Sequence, residues 1–198
     1  MSPALPLPAR IEAVAIGASA GGVEALSTLL PALPEGLRAS VFVVLHLPRD
    51  RPSRLADIFQ TRCVLPVVEA QDKEPVAPGT VYIAPPDYHL LLDHGPRIAL
   101  STDEPVNYSR PAIDVLFESA ADVYRDRLLG MILTGGNHDG TAGLVAVQRH
   151  RGTTVVQAPE SAQVPLMPAS ALQRVAPDHV LPLPAIAELL RGLKRAAA

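Results

Sequence analysis

Ser19 stands in the run Ile16-Gly17-Ala18-Ser19-Ala20-Gly21-Gly22, where Gly17, Ser19 and Gly21 spell G-x-S-x-G between an apolar stretch and an amphipathic one. That spacing belongs to a strand-to-helix elbow, which lifts a serine hydroxyl above the carboxyl end of a sheet. A serine hydroxyl is a weak nucleophile at neutral pH. Acyl transfer therefore needs a base to take its proton and an acid to orient that base and stabilise its charged form. His46, after Val41-Phe42-Val43-Val44-Leu45, and Asp139, within Gly135-Gly136-Asn137-His138-Asp139-Gly140, supply those two types. All three residues follow apolar runs, at the kind of position where parallel α/β sheets bind ligands. Taken singly they have plainer readings: Ser19 as a helix cap, His46 as a hydrogen-bonded structural histidine, Asp139 as a turn or cap residue. The order Ser, His, Asp also differs from the Ser, Asp, His of α/β-hydrolases, so the elbow predicts a triad on another fold.

A dinucleotide site is the first competitor, because strand, glycine-rich turn and helix also open a Rossmann unit. Its G-x-G-x-x-G requires glycine where Ser19 stands, and the second strand ends in His46 instead of an acidic residue. The histidines at 46, 89, 94, 138, 150 and 179 show no ligand-pair spacing beside carboxylates, so no metal centre is expected. His89 and His94 flank a turn and are expected to face solvent. The one cysteine, Cys63, excludes an internal disulfide and reads as a semi-buried apolar residue of a reducing compartment. A net charge of −3 gives no basic footprint for nucleic acid. Apolar runs stop well short of a membrane span, and the N-terminus lacks the pattern of a secretory signal, so a cytoplasmic protein without membrane insertion is expected.

The elements needed to hold the three residues can be read from periodicity. Strands are expected at 13–17, 41–45, 128–134 and 153–157 as short buried runs. Val23, Leu26 and Leu30 give a helix over 22–30, another follows at 53–60, and Ile113, Leu116, Phe117, Ala120 and Tyr124 mark the clearest helix. Helices are further expected from Gly140 to about His150, over 168–175 and over 185–195. Strands at 66–70, 80–84, 88–92 and 97–101 read as an antiparallel excursion, the last two joined by Asp93-His94-Gly95-Pro96. The alternation predicts an α/β fold, doubly wound, with a mainly parallel central sheet and helices on both faces. No repeat or linker divides the chain, so residues 1–198 are expected to form one domain.

Five ordered blocks resemble the catalytic domain of the CheB-type chemotaxis protein-glutamate methylesterases. They are I-G-A-S-A-G-G at 16–22, V-V-L-H at 43–46, P-G-T-V-Y-I-A-P-P-D-Y-H at 78–89, R-P-A-I-D-V-L-F at 110–117 and I-L-T-G-G-N-H-D-G at 132–140. The resemblance runs from about residue 11 to residue 180, and the family's serine, histidine and aspartate fall on Ser19, His46 and Asp139. It implies hydrolysis of glutamate methyl esters on the cytoplasmic region of chemoreceptors, with deamidation of glutamines in some members, and needs no metal or cofactor. Backbone N–H groups of Ala20 and Gly136 are the candidate oxyanion donors. Tyr108 and Arg110 are candidate contacts at the substrate rim, with Arg110 equally readable as a structural ion-pair partner.

Ala20 stands where the family commonly has threonine, and Gly136 and Asn137 replace a methionine and a glycine. The lost glycine predicts backbone angles that Asn137 accepts less readily. These changes keep open a second function, a binding module of the same fold for a receptor or signalling partner. Only about ten residues precede the first strand, too few for the receiver domain that family members often carry. Control by a separate response-regulator or chemosensory partner is the corresponding expectation.

Overall fold

The computed structural model describes residues 10–46 and 53–193. Strand β1 (Ala13–Ala18) and strand β2 (Ser40–Leu45) are buried at every position, as strands covered on both faces must be. Between them lies α1 (Gly22–Leu29), and after them come α2 (Leu55–Gln60), β3 (Val67–Glu69) and β4 (Val81–Ile83). Next are β5 (His89–Asp93), β6 (Arg97–Ser101), α3 (Ile113–Tyr124), β7 (Leu128–Ile132) and α4 (Thr141–Arg149). The chain closes with β8 (Thr153–Gln157), α5 (Leu166–Leu172), β9 (His179–Leu181) and α6 (Leu183–Arg191).

Seven strands pair in parallel in the order β3-β4-β2-β1-β7-β8-β9. The chain builds outward from β1 in one direction, then returns to β1 and builds in the other. The strand order therefore reverses between β1 and β7, and a crevice opens at their carboxyl ends. Helices cover both faces. Leu26 and Leu29 of α1, Phe59 of α2 and Ile186 and Leu190 of α6 pack with Val14, Ile16, Val41 and Val43. On the opposite face Ile113, Leu116 and Phe117 of α3, Leu144 of α4 and Met167 of α5 pack with Ala13, Ala15, Phe42 and Val44.

The two faces of β1 are unequal, and that inequality positions the site. Alternate residues Ala13, Ala15 and Gly17 present the smallest available surface to α3. A Cβ on Gly17 would lie 2.3 Å from Ile113 Cγ2, so the start of α3 can reach the sheet only over a bare backbone. This brings the first N–H groups of α3 to the crevice.

The expected doubly wound α/β architecture is present, with differences in detail. β3 and β4 belong to the parallel sheet, and the antiparallel excursion is confined to β5 and β6. β3 and β4 are only three residues long, so their sequence carries too little pattern to set direction. β9 escapes the sequence reading for the same reason, lying between Asp178 and Pro182. Helix α5 starts at Leu166, two residues ahead of expectation, because Pro168 fits a first turn, where its missing N–H is not needed. Residues 194 and 195 of the expected terminal helix lie outside the described residues.

His89 does not face solvent. It is 1% exposed, its Nδ1 accepts the Ala112 N–H at 3.2 Å, and its Nε2 lies 3.1 Å from the Glu104 carbonyl. Both ring nitrogens are thus used to tie the 102–112 loop to β5, which is how a polar ring is tolerated in the core. His94 is exposed, as expected.

Gly17→Ala is expected to destabilise the protein by about 1–3 kcal/mol through overpacking against Ile113. Urea unfolding would read this as a lower midpoint at unchanged slope. An unchanged midpoint would mean that α3 does not depend on this close approach.

Candidate active site

β1 and β2 run in register up to the pair Ala18 and Leu45, so Ser19 and His46 are the next residues on adjacent strands. The ladder continues one step further, with His46 N–H donating to the Ala18 carbonyl at 3.2 Å. On the other side Ser19 N–H donates to the Thr134 carbonyl at 3.0 Å, beyond the end of β7. Ser19 is thereby fixed through its backbone at the crevice. The turn then needs Gly21 at φ 80°, and Gly22 beneath it, where a Cβ would lie 2.4 Å from Leu45 Cδ1. Gly21 is the N-cap of α1 and no side chain caps that helix, so the Ser19 hydroxyl is not consumed as a cap.

Asp139 is completely buried and its carboxylate is fully engaged. Oδ2 accepts from His46 Nε2 at 2.8 Å and from the Ile113 N–H at 2.6 Å. Oδ1 accepts from Asn107 Nδ2 at 2.9 Å, the Asp114 N–H at 3.2 Å and the Gly140 N–H at 3.0 Å. The residue read as a cap of its own helix instead caps α3, where two free N–H groups and the positive end of the helix favour a negative charge. Burial pushes the Asp139 carboxyl up, but the His46 bond, the Ile113 N–H and the Asn107 amide outweigh it and hold the carboxyl below the ordinary range. An ionised carboxylate can only accept, so His46 carries its proton on Nε2 and presents the lone pair of Nδ1 to the crevice. That arrangement makes His46 a competent proton acceptor.

The Ser19 hydroxyl itself makes no hydrogen bond among the described residues. Among the described residues His46 Nδ1 has a hydrogen-bond contact with Asn137 Nδ2, at 3.5 Å. Asn137 does not adopt a left-handed backbone, contrary to what a glycine position would suggest, and its Oδ1 accepts the Asp139 N–H at 3.1 Å. Of the candidate oxyanion donors, neither the Ala20 nor the Gly136 N–H is spent on a hydrogen bond among the described residues, whereas Gly135 N–H donates to Val164. Both are available to a ligand.

Tyr108 is 96% exposed beside the site. Arg110 is tied into the chain, donating through Nε and Nη2 to Asp87 at 3.0 and 2.7 Å and through Nη1 to the Thr102 and Asp103 carbonyls. Its structural ion-pair reading is the one the geometry follows. Two residues that sequence reasoning did not single out matter as much. Asn107, at φ 51°, gives its two amide hydrogens to Asp139 and to Asp114 Oδ2, the latter at 2.8 Å. Asp114 in turn accepts the Gly143 N–H at 2.6 Å. Burial pushes the Asp114 carboxyl up, partly offset by Gly143 N–H, with Asp139 nearby adding to the rise. The signal available for Asn107 was its tolerance of left-handed backbone angles, which a sequence does not distinguish from an ordinary turn.

A doubly wound parallel sheet with a serine elbow at its switch point, and a histidine and a buried carboxylate beside it, is an α/β domain arranged for acyl-transfer chemistry. The sequence model of the CheB methylesterase family matches residues 14–190, and the chain belongs to that family. It is 37% identical to the crystal structure of the Thermotoga maritima CheB methylesterase catalytic domain, with a TM-score of 0.87 over 91% of this chain and 97% of that one. A Leptospira interrogans protein provisionally named protein-glutamate methylesterase/protein-glutamine glutaminase is 44% identical, over 90% of this chain and 92% of the relative. A Trichodesmium erythraeum protein bearing that name without qualification is 37% identical over 90% of this chain but only 52% of its own length.

Because folding lowers the Asp139 pKa, its ionised form adds stability above the ordinary aspartate range, and that stability is lost as pH falls below about 4 and through the native value. Asp139→Asn removes this component while Asp114 remains in both proteins. Thermal unfolding midpoints between pH 7 and pH 3 should therefore fall more steeply for the wild type than for the variant. Parallel curves would mean that the native state does not favour the charged carboxylate.

Proposed function

We propose that this chain is a protein-glutamate methylesterase in which Ser19 is the nucleophile, His46 the general base and Asp139 its orienting acid. The observation that carries the reading is the 2.8 Å bond between His46 Nε2 and the buried Asp139 carboxylate, one strand step from the Ser19 elbow. The substrate is the methyl ester of a glutamate side chain on the cytoplasmic region of a chemoreceptor, reached in the cytoplasm. Membership in the CheB methylesterase family supports that class. Among the described residues no helix is long and apolar enough to cross a membrane.

Ser19 Oγ attacks the ester carbonyl as its proton passes to His46 Nδ1, while Asp139 accepts from Nε2–H and stabilises the imidazolium. The oxyanion forms against the unpaired N–H groups of Ala20 and Gly136, each worth about 3–4 kcal/mol in such a role. Methanol leaves with the proton returned by His46, and water, deprotonated by the same nitrogen, releases the glutamate and frees Ser19. With a glutamine substrate the same steps expel ammonia, the second activity in the names of the relatives. Tyr108 lies at the rim, where its exposed ring can contact the receptor. The described residues act as a single catalytic domain. A binding-only module is disfavoured, because it would not require a buried, fully engaged carboxylate bonded to a histidine one strand step from an uncommitted serine.

Methanol release from methylated receptor should be measurable for the wild type and fall by about 10³-fold or more in Ser19→Ala. Release that survives the substitution unchanged would remove the serine mechanism.

A further inference from the structure

Asn137 faces the base with a fixed end of its amide. Its Oδ1 accepts the Asp139 N–H at 3.1 Å, and a carboxamide has no other acceptor, so the end of the side chain that meets His46 Nδ1 is the NH2 donor. Nδ1 is the unprotonated nitrogen, since Nε2 carries the proton shared with Asp139. The amide therefore sits on the lone pair that must receive the proton of Ser19, and in this state the serine hydroxyl has no partner among the described residues.

We propose that Asn137 is a built-in brake on the base: its amide and the Ser19 hydroxyl compete for one lone pair, and the serine is activated only as the amide withdraws. The inference rests on the esterase reading of the site. At 3.5 Å the contact is weak, so the restraint is a matter of degree. Removing it is expected to speed serine attack by about twofold to tenfold, the range of one net neutral hydrogen bond. Asn137 does not have a positive φ, so alanine and aspartate meet no left-handed backbone penalty at its position. Ala20, next to the nucleophile, has no side-chain donor or acceptor that could replace the amide in this competition.

The test is the rate at which a fluorophosphonate probe phosphonylates Ser19, followed by intact mass, which needs no receptor. The Ser19 oxygen attacks phosphorus and fluoride leaves, with the serine proton passing to His46. Asn137→Gly and Asn137→Ala should label faster than the wild type by that twofold to tenfold margin. Asn137→Asp keeps the size of the side chain and the oxygen that accepts the Asp139 N–H, but turns an acceptor toward Nδ1. That nitrogen then holds a proton, and labelling should slow by about tenfold or more. A purely structural role for Asn137 would slow the glycine and alanine variants and spare the aspartate. Glycine and alanine variants no faster than the wild type, or an aspartate variant no slower, would overturn the brake while leaving the labelled serine as evidence for the hydrolase. Failure of every form to label would contradict the hydrolase reading and the brake together.

Discussion

A carboxylate with no exposed surface has to be compensated at every lone pair, and Asp139 satisfies that demand with five donors drawn from four parts of the chain. The imidazole comes from the end of β2, two N–H groups from the start of α3, the amide from the 102–112 loop, and the last N–H from the Gly140 turn. Removing any donor would leave a buried charge short of a partner, which costs more than the bond itself contributes. The geometry of the crevice follows from this requirement. His46 is oriented because Nε2 must reach Oδ2, α3 must approach β1 closely enough to present its first turn, and Gly17 has to lack a Cβ for that approach.

Satisfying the carboxylate also distributes charge across the site. Asp114 lies beside Asp139 and shares Asn107 with it, yet the two carboxyls shift in opposite directions: burial pushes both up, and only at Asp139 do the hydrogen-bond donors outweigh it. Asp139 has the histidine and the stronger set of donors, so it keeps the negative charge where an imidazolium would form. Asp114 takes the Gly143 N–H and the second hydrogen of Asn107, and so supports the group that supports Asp139. His89 supports the arrangement from further away by holding the loop that carries Asn107 through both of its ring nitrogens.

Much of this was legible in the sequence, because it rests on local pattern. Long buried strands, the period of α3 and the glycine elbow are written in consecutive residues, and the positions of Ser19, His46 and Asp139 at strand ends follow from them. Less legible were features that depend on pairing between distant segments. The direction of β3 and β4 and the existence of β9 are settled by neighbouring strands, since three residues carry no periodicity of their own. His89 looked exposed because it flanks a polar turn, while its burial depends on a loop some fifteen residues later. Asn107 and Asp114 were missed for a related reason: one amide bridging two carboxylates is a tertiary fact. The departure at Gly136-Asn137-His138 was visible, but the strain expected of Asn137 is absent, and its side chain instead engages both Asp139 and His46.

The central claim is that an ionised, buried Asp139 fixes the tautomer of His46 and so leaves Nδ1 without a proton, the state that the proposed base requires. Nitrogen-15 NMR of imidazole-labelled protein near neutral pH tests it most directly, because protonated and bare ring nitrogens resonate far apart. The account predicts that His46 shows a protonated Nε2 and an unprotonated Nδ1, and that this distinction is lost in Asp139→Ala. A proton found on Nδ1 of the wild-type residue, with Nε2 bare, would contradict it.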